Sequence, residues 1–264
     1  MRITFIVAIF YCFNFFALNA QSTEKTPSTD GLWTDPNWSN FSLPEINFIN
    51  KAEGTEGWNI YNRLVPDPEG FIKYHALQVV KTLYWSDKDS IPDVRRVRYS
   101  FEDRDGISAK GGQPPVISIF YSSQWVEKTK ENKDDSQVLF ETRGVLYHEL
   151  THGFQLEPQG IGGYRQGTEF WVFIEGMADA VRYHNGFFPV TNRRPGGKWM
   201  DGYQRTGFFL QWLTCKDPDF LRKFNYSTRV IIPWGFDKAM QYVFGENVTT
   251  DLLWQEYQEF LTRK

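Results

Sequence analysis

The chain has few cysteines: its 264 residues include two, Cys12 and Cys215. This scarcity excludes a small fold held together by several disulfides, and it excludes a zinc site built from cysteines alone. Cys12 lies in an apolar segment at the N-terminus, and cleavage of that segment would leave Cys215 as the only cysteine. We therefore expect no intramolecular disulfide in the mature chain and a buried, inert thiol at Cys215.

Long basic runs and long apolar runs are also missing. No more than two basic residues follow one another, as at Arg95-Arg96 and Arg193-Arg194, and the formal net charge is −3. This balance argues against a nucleic-acid or anionic-membrane partner. The longest largely apolar run, residues 3–13 with Thr4 as its one polar residue, is well short of the roughly twenty residues that a membrane-spanning helix needs. The sequence also lacks a G-x-S-x-G motif, a P-loop and a C-x-x-C motif, which excludes the commoner hydrolase and redox signatures.

The N-terminus has the pattern of a secretory signal peptide. Arg2 precedes the apolar run, and Leu18-Asn19-Ala20 ends the segment with a small residue. We predict a signal peptide over residues 1–20 and therefore a secreted protein, extracellular or periplasmic. Residues 21–44, rich in polar residues and proline, are predicted to form a flexible leader. Residues 45–264 are predicted to form a single domain.

The order of elements in this domain predicts an α+β fold. Asp67-Pro68-Glu69 has the residues of a helix start, with the helix running to about Trp85. Residues 97–101 alternate as a half-buried strand does, residues 103–112 have turn chemistry, and residues 115–121 form a second strand. Apolar positions at helical spacing predict helices near 136–156, 168–185, 201–214, 236–244 and 250–262.

The most informative motif is H-E-x-x-H, formed by His148, Glu149 and His152. Four residues span about one helical turn, so both imidazoles lie on one face and can share a Zn²⁺ ion. Glu149 lies beside the metal, where it can take a proton from a zinc-bound water as a general base. An ordinary amphipathic helix with two histidines is the alternative interpretation.

A catalytic zinc needs a third protein ligand. The metzincin pattern requires glycine at 155 and histidine at 158, and the residues there are Gln155 and Pro158, so that class is excluded. Glu175 is the best candidate, because it lies amid apolar residues of a predicted helix where an unpaired carboxylate is costly to bury. Glu157 lies in a Pro-Gly turn too close to His152, and Glu169 is better explained by the helix dipole.

Asp179 follows Glu175 by one helical turn. It can accept the second N–H of His148, as carboxylates behind zinc-bound histidines do. This E-x-x-x-D spacing resembles that of the thermolysin-like glutamate zincins. Two alternatives remain: Asp179 is itself a direct ligand, or Glu175 and Asp179 are a buried carboxylate pair bound to Arg182.

Several segments resemble the basic secretory protein family of zinc peptidases from plants and bacteria. They are Gly144–His152, Ile174–Arg182, Arg194–Gly197, Asp201–Leu210, Val94–Val97, Asp103–Gly106 and Leu253–Tyr257. The resemblance covers about 45–262 and implies a gluzincin-like fold, zinc and proteolysis outside the cytoplasm. The chain departs from the family in being mildly acidic and in a longer stretch between Gly153 and Phe173.

These observations predict a zincin-like metallopeptidase fold, with a small mixed sheet over the H-E-x-x-H helix and a helical C-terminal part. The expected activity is hydrolysis of peptide bonds in peptides, proteins or glycoproteins, with zinc held by His148, His152 and Glu175. Val116–Tyr121 is a candidate for pairing with an extended substrate, and an interior strand is equally plausible.

A catalytic oxyanion needs one donor besides zinc. Tyr203 is the first choice for this donor, and His184 and Tyr164 are alternatives. A phenol that merely packs against the core explains Tyr203 equally well.

The alternative function is a secreted, catalytically idle protein that binds glycans or proteins. The aromatic content of 17% supports it, whereas the intact general base Glu149 argues against it.

Overall fold

The computed structural model describes residues 35–131 and 133–263. The predicted signal peptide and most of the predicted leader lie outside these residues. Residues 35–44 differ from the flexible leader that the sequence predicts. Pro36–Trp38 forms a short 3-10 helix capped by the carboxylate of Asp35, and Trp38 is only 3% exposed. This part of the leader therefore packs on the domain.

The described residues form an α+β fold, as predicted. The strands are β1 (Glu45–Lys51), β2 (Arg96–Glu102), β3 (Ser108–Gln113) and β4 (Val116–Ser122). The helices are α1 (Glu56–Leu64), α2 (Pro68–Leu83), α3 (Ser123–Lys130), α4 (Asp135–Phe154), α5 (Glu169–His184), α6 (Tyr203–Leu213), α7 (Phe220–Val230), α8 (Phe236–Phe244) and α9 (Thr250–Thr262).

Side-chain caps set the starts of the helices that matter for the site. The predicted helix start at Asp67 is confirmed, since its carboxylate accepts the N–H of Gly70 at 3.0 Å and Pro68 is the first residue of α2. Asp134 caps α4 by accepting the N–H of Gln137, and Thr168 caps α5. Such caps satisfy N–H groups that the first helical turn leaves unpaired.

The sheet has the strand order β1-β2-β4-β3, with β1, β2 and β4 parallel and β3 antiparallel. β4 pairs on both sides, so of the two interpretations of Val116–Tyr121 the interior strand is correct and the substrate-pairing strand is wrong. The predicted turn over 103–112 is also partly wrong, because its last residues belong to β3. Within the described residues β3 pairs with β4 alone and is an edge strand.

One face of the sheet is apolar and carries the helices. Alternate residues of β2 and β4 are buried on this face, among them Phe101, Ile117 and Tyr121. Phe101 stacks on Tyr61 of α1 with ring centroids 4.5 Å apart. On the same face, a Cβ added at Gly153 of α4 would lie 2.6 Å from the Cδ1 of Ile117, so the glycine permits this close contact. Helix α4 therefore lies directly under the sheet.

Helices α5 and α6 approach closely through two glycines. A Cβ added at Gly176 would lie 3.0 Å from the Cβ of Thr206, and one at Gly207 would lie 2.6 Å from the Cβ of Asp179. The contact brings the beginning of α6 to the part of α5 that carries Glu175. Gly176 thus faces α6.

Cys215 is exposed just after α6, so the prediction of a buried thiol is wrong. In the described part of the chain, no helix is both long enough and apolar enough to cross a membrane.

Candidate metal centre

Three potential ligand atoms from two helices converge at one point. The Nε2 atoms of His148 and His152 on α4 lie 3.0 Å apart. The Oε2 atom of Glu175 on α5 lies 3.3 Å from the Nε2 of His148 and 3.6 Å from the Nε2 of His152. The structure therefore brings these predicted ligands together in a compact triangle.

This triangle has the dimensions that a small tetrahedral ion requires. Zinc bonds of about 2.0–2.1 Å to nitrogen and oxygen place adjacent ligand atoms roughly 3.3 Å apart. The three separations, 3.0 to 3.6 Å, bracket that value. Two imidazoles and one carboxylate are also a donor set that suits a catalytic divalent metal. The residues present fit a metal ion.

Asp179 supports the first histidine from behind. Its Oδ1 lies 2.7 Å from the Nδ1 of His148 and accepts the N–H there. This hydrogen bond fixes the tautomer that leaves Nε2 free for a metal. Asp179 thus contacts the Nδ1 of His148, whereas the carboxylate of Glu175 faces both Nε2 atoms.

The centre carries a concentration of buried negative charge. Glu149, Glu175 and Asp179 are 5%, 4% and 3% exposed, respectively. Arg182, the cation considered as a partner for these carboxylates, instead donates to Glu141 at 2.8 Å and to the carbonyl oxygen of Phe187 at 2.8 Å. Buried carboxylates require compensation, and a divalent cation would supply it.

Burial and neighbouring charges also shift the pKa values of the centre. Burial acts to lower the pKa of His148, but the carboxylates of Asp179 and Glu175 outweigh burial and raise this pKa to about 10. Burial acts to raise the pKa of Glu175, but hydrogen bonds and charges from both histidines hold it well below its usual range.

Glu149 lies on α4 beside the triangle and is held from the sheet. The hydroxyl of Ser108, the first residue of β3, donates to the Oε1 of Glu149 at 2.6 Å. This bond leaves the Oε2 of Glu149 available to a proton. Sequence reasoning missed Ser108, because it lies in a segment with turn composition and far from the motif in the chain.

Two tyrosines line the centre from the other side. The ring of Tyr203 lies nearly parallel to that of His148, with an interplanar angle of 14° and centroids 6.1 Å apart. Tyr203 adopts a positive φ of 39° at the start of α6 and is 46% exposed. The phenol of Tyr164 donates to the Oε1 of Glu175. Burial and the nearby Glu175 raise the pKa of both phenols, so both are donors at neutral pH.

The third candidate donor, His184, lies elsewhere. It is the last residue of α5, nine residues beyond Glu175 and therefore about 13 Å further along the helix axis. It lines a separate cavity together with Gln78 and Arg222. His184 is therefore not brought to the centre.

Gln155 is a second residue that sequence reasoning did not assign. The Nε2 of its side-chain amide lies 3.0 Å from the Nδ1 of His152 and donates to the carbonyl oxygen of Ile174 at 3.3 Å. Gln155 therefore links the side of His152 that faces away from the triangle to the backbone of α5. Gln155 follows His152 by three residues at the end of α4, so helical spacing was the signal that could have revealed it.

The fold and this centre define a class: an α+β protein in which two packed helices bring two histidines and a glutamate together as a candidate metal site. The chain belongs to the family described as peptidases of plants and bacteria, whose model matches residues 43–257. This match confirms the resemblance to the basic secretory protein family. Comparisons with curated proteins and with solved structures find no match.

Proposed function

We propose that the protein is a secreted zinc-dependent endopeptidase with a zincin-like active site. One observation carries this proposal: the His148–His152–Glu175 triangle lies beside a buried carboxylate, Glu149, that is not part of it. A purely structural zinc site has four protein ligands and no need of a base. Membership of a peptidase family supports the same reaction class.

The residues of the centre have distinct roles in the proposed reaction. A bound zinc ion would lower the pKa of water toward neutrality and polarise the substrate carbonyl. Glu149 accepts the proton of the attacking water at Oε2 and then donates it to the nitrogen of the leaving amine. Ser108 keeps Oε1 of the same carboxylate in place throughout.

The edge strand β3 provides a place for the peptide. Its outer N–H and C=O groups have no strand partner in the described part of the chain, and an extended peptide can pair with such an edge. Ser108 of this strand touches the base, so a peptide along β3 lies next to the centre. The proposed substrate-pairing strand is therefore β3, instead of the sequence-based candidate Val116–Tyr121 in the neighbouring strand β4.

Tyr203 is the proposed donor to the oxyanion. The Tyr203→Phe variant is expected to lower kcat by about 10²-fold with a smaller change in KM, because one donor to the developing charge is lost. The matched variant is Tyr164→Phe, which removes a phenol that is already bonded to Glu175. Its main expected effect is weaker zinc retention. Steady-state kinetics with zinc content checks both variants, and the opposite pattern would assign the oxyanion to Tyr164.

The proposed function is tested on the purified mature chain, beginning at Gln21. Stoichiometric zinc by elemental analysis is expected, together with cleavage of casein that stops on chelation and returns when zinc is added. Stable binding of glycans or proteins without cleavage would support the idle binding protein instead. A zinc-free preparation that still cleaves casein would overturn the proposal. Export is checked by N-terminal sequencing of the secreted protein.

A further inference from the structure

The inner face of β3 points towards the candidate metal centre. In antiparallel pairing, directly opposed residues share a face of the sheet, and Ser108, Lys110 and Gly112 are opposite Tyr121, Ile119 and Ile117. These three partners are buried on the face that α4 covers. The hydrogen bond from Ser108 to Glu149 shows the same orientation. Lys110 is thus on the active-site face of the edge strand.

Lys110 lies about 7 Å along the strand from Ser108, at two strand residues of about 3.3–3.4 Å each. Its side chain is half-buried. Burial lowers the pKa of its ammonium, and the charges of Glu157 and Glu149 act in the opposite direction. In the described part of the chain, its ammonium makes no hydrogen bond, and no carboxylate oxygen lies within 4.0 Å of it.

This lack of a direct partner distinguishes Lys110 from several other cations of the domain. Arg182 bonds to Glu141, Lys51 pairs with Glu102, and Arg96 pairs with Glu45. A half-buried ammonium that no carboxylate contacts directly loses hydration without gaining a hydrogen bond, although the charges of Glu157 and Glu149 reduce the cost. The cost falls when a carboxylate arrives from outside the chain.

A peptide paired with the outer edge of β3 would supply that carboxylate. Alternate side chains of the added strand would share the face of Ser108 and Lys110, and opposite charges on neighbouring strands stabilise such pairs. We propose that Lys110 determines substrate specificity by binding the side-chain carboxylate of an aspartate or glutamate close to the scissile bond. This inference rests on the proposed peptidase function and on the pairing of substrate with β3.

The experiment uses peptides that carry glutamate, glutamine or lysine at each position on either side of one cleaved bond, within an otherwise uncharged sequence. At one position the wild-type protein is expected to prefer glutamate over glutamine by about tenfold in kcat/KM, the effect of one charge-assisted hydrogen bond. In Lys110→Met this preference is expected to disappear. In Lys110→Glu it is expected to reverse in favour of lysine at the same position.

Lys88→Glu is the matched control. Lys88 is an exposed residue of the segment after α2, and its substitution changes the net charge by the same amount. The glutamate preference is expected to persist in this variant. Equal preference for glutamate and glutamine in the wild-type protein, or an equal change in Lys88→Glu and Lys110→Glu, would overturn the role of Lys110.

Peptide binding separates this inference from the proposed function. Fluorescence anisotropy of the same peptides is measured with Glu149→Gln, with and without Lys110→Glu. Wild-type cleavage without any charge preference leaves the peptidase function standing and overturns the inference. A reversal of binding preference without wild-type cleavage of any peptide supports the Lys110 contact and overturns the peptidase function.

Discussion

Glu149→Gln is expected to lower kcat by about 10³-fold while the protein keeps a full equivalent of zinc. General acid–base catalysis by one positioned side chain contributes roughly 10²–10⁴-fold. Glutamine has the size of glutamate and can accept the hydrogen bond of Ser108 through its amide oxygen. It cannot take a proton from water. The loss therefore falls on the chemical step, and it is measured by steady-state kinetics together with elemental analysis of zinc.

Glu246→Gln is the matched control for this substitution. Glu246 is an exposed carboxylate just beyond α8, and it is not among the atoms of the metal triangle. Its variant is expected to cleave casein at the wild-type rate. Undiminished cleavage by zinc-loaded Glu149→Gln would show that another group accepts the proton.

Glu175→Gln is expected to release zinc under conditions in which the wild-type protein retains it. The substitution keeps the shape of α5 but replaces the charged oxygen that lies 3.3 and 3.6 Å from the two Nε2 atoms by a neutral amide. Loss of a group that merely supports a ligand costs about 10–100-fold in metal affinity. Loss of a direct ligand should exceed that range. Competition with a chromophoric chelator measures the affinity, and activity is expected to fall with occupancy.

Asp179→Asn provides the comparison on the same helix. Its carboxylate contacts the Nδ1 of His148 and supports that histidine from behind. Zinc affinity in this variant is expected to fall by about 10–100-fold. A larger loss in Asp179→Asn than in Glu175→Gln would exchange the two roles and make Asp179 the direct ligand.

Local sequence signals predict the elements that carry the centre. The spacing of His148 and His152 and the apolar periodicity around Glu175 both depend on residues within a few positions of one another. Such signals survive folding because helix geometry is set by neighbours along the chain. For this reason α4 and α5 agree with the sequence-based prediction.

The wrong predictions about the strands concern relations between distant segments. β3 contains Gly111 and Gly112 and has no apolar alternation, so its composition is typical of a turn. Its strand conformation depends on pairing with β4, and that pairing also makes β4 an interior strand. Strand order depends on contacts across the sheet, and the apolar pattern of one strand does not contain this information.

The candidate site likewise combines features that local sequence predicts with contacts that only the folded chain creates. The sequence alone determines that His148, Glu149 and His152 share one face of a helix, because one turn of α-helix relates them. It also identifies Glu175 as a carboxylate whose burial needs a partner. Only the tertiary structure decides that Ser108 holds Glu149, that Tyr164 bonds to Glu175 and that Lys110 faces the centre. These contacts join segments whose proximity is created by sheet pairing and helix packing, and no local pattern encodes them.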